Sequence, residues 1–155
     1  MQKQINIQNK KAKFEYNFIQ KYTAGIVLTG SEIKSIRNGE ASISNSFCEF
    51  NENQELFIIN MQIQKYSASS IFNHNPKASR KLLLKKNELK KLSKEVKSTG
   101  LTIIPIKLYI NEKGIAKLII SLAKGKKLYD KRTSIKNREI KRDIDRLKKS
   151  FKKNN

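Results

Sequence analysis

The sequence predicts a mainly β protein with added helices, in which a small antiparallel barrel precedes a basic tail. Two hairpins carry the prediction. Residues 47–50 and 56–63 flank a five-residue polar loop, and residues 101–110 and 115–122 flank a turn that contains Gly114. Apolar side chains in the second hairpin alternate at the period of a half-buried strand. Because a barrel removes the exposed edges of a small open sheet, we expect an OB-like antiparallel β-barrel.

The chain before the first hairpin predicts an arm followed by a strand. Residues 1–12 are polar and basic, which predicts a flexible N-terminal arm. Aromatic residues then alternate with polar ones from Phe14 to Phe18, as expected for a first strand. The barrel is therefore expected to occupy residues 13–128.

Two helices are expected within the barrel. Ser31 suits an N-cap and Gly39 suits the left-handed position after a C-terminus, which predicts a helix near residues 31–38. A second helix is predicted over residues 77–97, between the two hairpins. Its apolar side chains recur at helical spacing: Leu82, Leu89, Leu92 and Val96.

Charge is the strongest functional signal in the sequence. The 155 residues include 34 Lys and Arg against 13 Asp and Glu, a net charge of +21 that favours an anionic partner. Residues 124–155 hold fourteen of the cations and four of the acids. An apolar stripe at helical spacing runs through this tail from Ile140 to Phe151, but apolar side chains are few and the cations repel one another. We therefore predict that the tail, residues 129–155, is disordered in isolation and becomes helical where phosphates neutralise it.

Three basic regions are candidates for phosphate contacts. They are Lys34 with Arg37, Arg80 and Lys81 with Lys85 and Lys86, and the segment 124–132. In the last segment the Tyr129 ring offers a surface on which a base can stack. The same residues would also suit a solvated strand end. A membrane-surface tail and a binder of acidic proteins are further alternatives, and the membrane alternative is weakened by the absence of Trp and the scarcity of Leu in the tail.

The sequence offers little material for catalysis or metal binding. Its single cysteine, Cys48, excludes an internal disulfide and suits a buried apolar position. The single histidine, His74, is either a base or a structural hydrogen-bonding group. Phosphate-loop, nucleophile-elbow, dinucleotide and metal-ligand motifs are absent from the sequence, so we predict no enzyme, no metal and no cofactor. With no apolar run of about 18 residues and no signal core, we expect a soluble, cytoplasmic monomer that does not bind membranes.

Five segments in order together resemble the SmpB family, the SsrA-binding proteins of bacterial ribosome rescue. The match runs through nearly the whole chain from Asn9, and the far tail matches only in its basic, helix-prone character. The segments are 24–37 (AGIVLTGSEIKSIR), 59–61 (INM), 72–74 (FNH), 80–84 (RKLLL) and 122–132 (LAKGKKLYDKR). His74 is followed by Asn75 where the family usually has an acid, which is a departure from the pattern.

The resemblance implies a non-enzymatic OB-like protein that binds the tRNA-like domain of transfer-messenger RNA and enters stalled ribosomes with it. Its tail would become helical in the empty decoding centre and mRNA channel of the small subunit. The RNA-binding residues implied for the barrel are Glu32, Lys34, Arg37, Lys124, Lys126 and Lys127, and the basic charge of Arg80 and Lys81 predicts that these two also bind RNA. The ribosome-binding residues implied for the tail are Tyr129, Asp130, Lys131, Arg132, Lys136, Arg138, Arg142 and Arg146.

Two alternatives from other classes stay open at this point. A structural ribosomal protein would also be small, basic and tailed, and it would remain on ribosomes without transfer-messenger RNA. A ribonuclease that uses His74 would cleave RNA, and replacing His74 would abolish the cleavage without loss of RNA affinity.

Overall fold

The computed structural model describes residues 4–69, 71–98 and 100–153, and the chain divides into two compact units, Met1–Gly125 and Lys126–Asn155. The first unit holds nine strands and three helices within the described residues, and the second holds one long helix. In chain order the elements are β1 (Asn6–Gln8), α1 (Lys10–Glu15), β2 (Tyr16–Ile26), α2 (Gly30–Arg37), β3 (Ala41–Ser42), β4 (Phe47–Phe50), β5 (Leu56–Ile59), β6 (Gln62–Ile63), β7 (Arg80–Leu83), α3 (Lys86–Glu95), β8 (Leu101–Ile110), β9 (Ala116–Gly125) and α4 (Leu128–Lys153).

Seven strands of the first unit form one antiparallel sheet in the order β1-β8-β4-β5-β7-β2-β9. Because β8 also pairs with β9, the sheet curls back on itself and nearly closes a ring. Strands β3 and β6 form a separate pair. Helices occupy about as much of the described chain as strands do, so the protein is mixed α/β and not mainly β as predicted.

The inward side chains of the curled sheet make the main core. On β9, Leu118 and Ile120 point inward, and Ile58 of β5 and Leu82 of β7 join them with no exposed surface above 1 %. Helix α2 contributes Ile36 to this core, and α3 contributes Leu92. The alternation predicted from the sequence therefore marks the inner face on β9, but on β8 Ile104 belongs to a second cluster with Ala12 and Ala123.

Both predicted hairpins are present, although the second strand of the first one ends at Ile59 and not at residue 63, because residues 62–63 form β6. β4 pairs with β5 across the polar loop, and β8 pairs with β9 across a turn in which Gly114 has a φ of 76°. The pairing of β8 with β9 shifts register between Pro105 and Lys107. A bulge at this point fits proline, which has no N–H to give to a sheet.

The prediction of a flexible arm over residues 1–12 is wrong for the described part of that range. Strand β1 pairs with β8, and the buried side chain of Asn9 caps α1 by accepting a hydrogen bond from the Ala12 N–H at 3.0 Å. The amide of Asn9 also donates to the carbonyls of Ile43 and Pro105. One buried asparagine thus fixes three backbone segments, which a charge count cannot reveal. Residues 1–3 lie outside the described residues.

The helix predicted for residues 77–97 is also wrong in extent. Only Lys86–Glu95 is helical, and Arg80–Leu83 forms β7, which fills the place between β5 and β2 in the sheet. Leucine at helical spacing favoured a longer helix, but Arg80 and Leu82 are buried while Leu83 is exposed, the period of a strand. Pairing with two neighbours outweighs the weak local preference of these residues.

The prediction of a disordered tail is wrong as well, because the second unit contains the 26-residue helix α4. Its cations repel, but other local terms favour the helix. Asp130 lies in the first turn and lysines lie in the last, which suits the helix dipole at both ends. Arg146 pairs with Asp143 one turn away at 3.6 Å. Most of the remaining residues have good helix propensity, so the chain is helical although α4 has no buried residue.

Cys48 is buried, as predicted for the single cysteine of the sequence. It lies on β4 in the main core, and burial raises the pKa of its thiol well above the ordinary value. Because the thiolate is the reactive form, we expect iodoacetamide at pH 8 to alkylate the folded protein roughly 100-fold more slowly than the protein in urea. Mass spectrometry of timed samples measures this ratio, and equal rates in the two conditions would contradict the buried assignment.

Candidate nucleic-acid interface

The first turn of α2 is organised by a capping box. Thr29, not the predicted Ser31, is the N-cap: its hydroxyl accepts a hydrogen bond from the Glu32 N–H, and Glu32 Oε2 accepts one from the Thr29 N–H at 2.8 Å. Thr29-Gly30-Ser31-Glu32 has the T-x-x-E spacing of this motif. The N-cap therefore lies two residues before the position predicted from the sequence.

Glu32 and Arg80, both expected to bind RNA, instead contact each other inside the first unit. Arg80 Nε lies 2.7 Å from Glu32 Oε1, and the two side chains are 2 % and 6 % exposed respectively. The two terminal nitrogens of Arg80 donate to four backbone carbonyls, those of Met61, Asn75, Pro76 and Ala78. The carboxylate therefore faces Arg80 and not solvent, and all five donors of the guanidinium have acceptors.

His74 lies in the same long connection between β6 and β7 and is held at both ring nitrogens. Nε2 lies 3.0 Å from the Ile63 carbonyl, which requires it to donate, and Nδ1 lies 2.9 Å from Ser31 Oγ and accepts from that hydroxyl. The ring therefore links α2 to the connection. Of its two interpretations, this geometry favours the structural one, since both ring nitrogens have hydrogen-bond partners within the protein.

Lys34 and Arg37 lie on the exposed side of α2, as the sequence predicts. The Lys34 ammonium lies 5.5 Å from the centre of the Tyr66 ring, a cation–π contact, and Arg37 Nη2 donates to the Gly114 carbonyl at 3.3 Å. These contacts hold the side chains against the protein surface. Each cation keeps donors with which it can reach a phosphate.

The other expected barrel cations are spread over the chain. Lys81 donates to Glu55 Oε1 at 2.7 Å, and this hydrogen bond lowers the pKa of the Glu55 carboxyl. Lys124 is exposed at the end of β9. Lys126 and Lys127 belong to the second unit, in which Lys126 Nζ donates to Ser134 Oγ at 3.4 Å. The three lysines, expected to form one surface, are thus divided between the two units.

Helix α4 carries every residue expected to bind the ribosome. Tyr129 is 77 % exposed at its start, and the apolar stripe found in the sequence is also open to solvent, with Ile140, Ile144, Leu147 and Phe151 each exposed by 46 % or more. Arg138, Arg142 and Arg146 follow at intervals of four residues and lie along one side of the helix. The tail is therefore a basic helix whose apolar stripe is exposed.

Within the described residues no group of three or more His, Cys, Asp and Glu side chains could hold a metal ion. The described helices also include none that is long and apolar enough to cross a membrane. The first unit has exposed cations on its surface, and the buried Glu32–Arg80 pair links α2 to the connection between β6 and β7. Two tyrosines that contact lysines, Tyr66 and Tyr109, were not predicted from the sequence. The Lys107-x-Tyr109 alternation on β8 was the available signal for the second of them.

Comparison with known proteins gives consistent matches over nearly the whole chain. A family model described as SmpB protein matches residues 6–150. The SsrA-binding protein of Christiangramia forsetii is 62 % identical over 152 residues, with 98 % of this chain and 96 % of the relative covered. The SsrA-binding protein of Flavobacterium psychrophilum is 60 % identical, with 97 % and 100 % covered. A solved chain from a structure described as "tmRNA-SmpB: a journey to the center of the bacterial ribosome" is 40 % identical, with a TM-score of 0.69 and 84 % and 94 % covered.

Proposed function

The chain belongs to the SmpB family, and from this premise we propose that it binds SsrA RNA, also called transfer-messenger RNA, and acts with it on stalled ribosomes in trans-translation. The similarity to SsrA-binding proteins over nearly the whole length of both chains is the observation that carries this conclusion. It is a non-catalytic RNA-binding protein. The net charge of +21 supplies the attraction that such a partner requires.

For the first unit we propose the RNA-holding role. Its curled sheet would be an OB-like barrel that binds the tRNA-like domain, with Lys34, Arg37 and Lys124 on phosphates. Lys81 would give up its ion pair with Glu55 and bind an RNA phosphate instead. The burial of Glu32 and Arg80 supports an indirect role for this pair, in which it fixes α2 and the connection that reaches from β6 to β7. Residues so placed would orient the surface cations without contacting RNA themselves.

For α4 we propose the ribosome-reading role. The helix would enter the empty decoding centre and mRNA channel of the small subunit, where its arginines meet ribosomal RNA. The absence of buried residues along α4 supports this role, because the apolar stripe and most of the cations are exposed. We further propose that the protein acts in the cytoplasm as a monomer.

The RNA that co-purifies with the protein tests this function. We expect sequencing of RNA bound to affinity-tagged protein to return SsrA RNA at high enrichment over ribosomal RNA. The same pull-down from cells that lack SsrA RNA should lose ribosomes as well, because the RNA is what brings the protein to them. Retention on ribosomes in those cells would favour the alternative, a structural ribosomal protein.

A further inference from the structure

The outer face of the curled sheet carries a row of side chains that the proposed function does not use. Direct pairing across β8, β9, β2 and β7 brings Tyr109, Lys117, Gly25 and Leu83 into one line. Their neighbours Leu108, Leu118 and Ala24 point into the core, so this row points outward. The next row pairs Lys107, Ile119 and Thr23 in the same way.

A groove of about 530 Å³ opens on this face. We call it the β2 groove, and it is lined in part by Lys21, Thr23, Gly25, Lys85, Glu88 and Lys117. Three of these are cations. The single acid, Glu88, accepts a hydrogen bond from the Lys85 N–H at 3.1 Å and so caps α3. Lys21 and Lys117 are at opposite ends, roughly 13 Å apart along β2, because the partner of Lys117 is Gly25, four residues from Lys21.

The shape and chemistry of the β2 groove favour a nucleic-acid strand. Gly25 has no side chain, so the floor between Thr23 and Leu83 stays low, and a Cβ there would lie only 3.3 Å from the Cβ of Leu83. Leu83 is 52 % exposed and lies beside Gly25 on this face. The partly exposed Tyr109 ring lies next to Lys117, its pairing partner on β9. The Lys107 ammonium lies 5.3 Å from the centre of the Tyr109 ring. Cations for phosphates and a ring for a base are what single-stranded RNA requires.

Helix α1 limits the same face at its other end. Ala12 packs there against Ile104 and Ala123 and covers this part of the face. We propose that the β2 groove binds an unpaired segment of the tRNA-like domain of SsrA RNA, with phosphates on Lys21, Lys85 and Lys117 and a base stacked on Tyr109. This inference rests on the proposed function and assigns it a second contact surface.

Three matched lysine changes test the phosphate contacts. The triple variant Lys21→Gln, Lys85→Gln, Lys117→Gln should weaken binding of the isolated tRNA-like domain by roughly tenfold or more at 0.15 M salt. It should also reduce the slope of log K against log salt by about 2, since each phosphate contact with a single strand contributes about 0.7. The control Lys11→Gln, Lys65→Gln, Lys77→Gln removes the same charge from exposed positions outside the groove, and its slope should change by less than half as much.

A change at Tyr109 tests the stacking contact separately. Tyr109→Ala should weaken binding roughly 5- to 100-fold, whereas Tyr109→Phe, which keeps the ring, should bind like the unaltered protein. Thermal unfolding of each variant shows whether it is folded at the temperature of the assay. A destabilised Tyr109→Ala variant would leave the lysine comparison as the deciding measurement.

The outcomes separate this inference from the proposed function. If the unaltered protein fails to bind the tRNA-like domain, the proposed function fails. If it binds and the groove triple behaves like the control triple, the groove proposal alone is overturned. It is likewise overturned if the groove triple binds SsrA RNA normally but loses its association with ribosomes, because the groove would then contact ribosomal RNA.

Discussion

Deletion of residues 129–155 is expected to reduce peptide tagging on stalled ribosomes to background while leaving specific binding of SsrA RNA within about tenfold of its full-length value. The deletion removes nearly all of α4 but leaves the first unit, with its sheet and core, complete. It also removes eleven cations and four acids, so non-specific RNA binding should weaken more than specific binding. Tagging of a reporter translated from a message without a stop codon, together with competition binding, measures both effects.

A second variant separates the helix from its charge. Ile144→Pro keeps every charged residue of the tail but interrupts α4 near its middle, at a cost of about 3 kcal/mol or more to the helix. If the helix itself enters the ribosome, this variant should lose most tagging although its net charge is unchanged. Tagging at the full rate would show that the tail acts only as a polycation. Loss of SsrA RNA binding after the deletion would contradict the division of work between the two units.

The hairpins were predictable from the sequence because their signals are local. Alternation over β8 and β9, with Gly114 at a turn that needs positive φ, defines strands and turn together within 25 residues. Helix α2 was located almost correctly for the same reason. Its cap was displaced from Thr29 to Ser31 because both residue types can cap, and only the reciprocal bond from Glu32 decides between them.

The errors occurred where distant segments determine the local structure. Strand β7 exists because β5 and β2 each need a partner, and its four residues alone do not indicate that. Asn9 orders the N-terminal region through carbonyls 34 and 96 residues away. Helix α4 was missed for the opposite reason, since a local balance of propensity, dipole and ion pairs exceeds the repulsion that the net charge suggested.

The candidate site shows the same limit. The positions of Lys34 and Arg37 on the exposed side of α2 follow from helical spacing. The ion pair between Glu32 and Arg80 does not, because it joins residues that are 48 positions apart in the sequence. Charge and motif marked both as binding residues. Only the fold distinguishes cations that solvent and RNA can reach from a cation that five acceptors already hold.

Replacement of Glu32 by Ala is expected to lower the free energy of unfolding by about 3–5 kcal/mol, the usual cost when one partner of a buried ion pair is removed. Arg80 would keep its carbonyl contacts but lose the charge that balances it, and α2 would lose half of its capping box. Urea unfolding followed by circular dichroism measures the change. The matched control Glu55→Ala removes a carboxylate that also pairs with a cation at 2.7 Å, but at a partly exposed position, where water replaces the lost partner and little stability is lost.

A double-mutant cycle then assigns the energy to the pair. Glu32→Ala combined with Arg80→Met removes both charges, so the double variant should be more stable than the sum of the two single losses predicts.

RNA binding is measured at a temperature where each variant is folded. The specific affinity should fall more than the non-specific affinity, because the pair positions α2 and its neighbouring connection but supplies no positive charge to RNA. If Glu32→Ala unfolds within about 1 kcal/mol of the unaltered protein and still loses specific binding, the carboxylate contacts RNA directly. In that case the buried pair must open when the RNA binds.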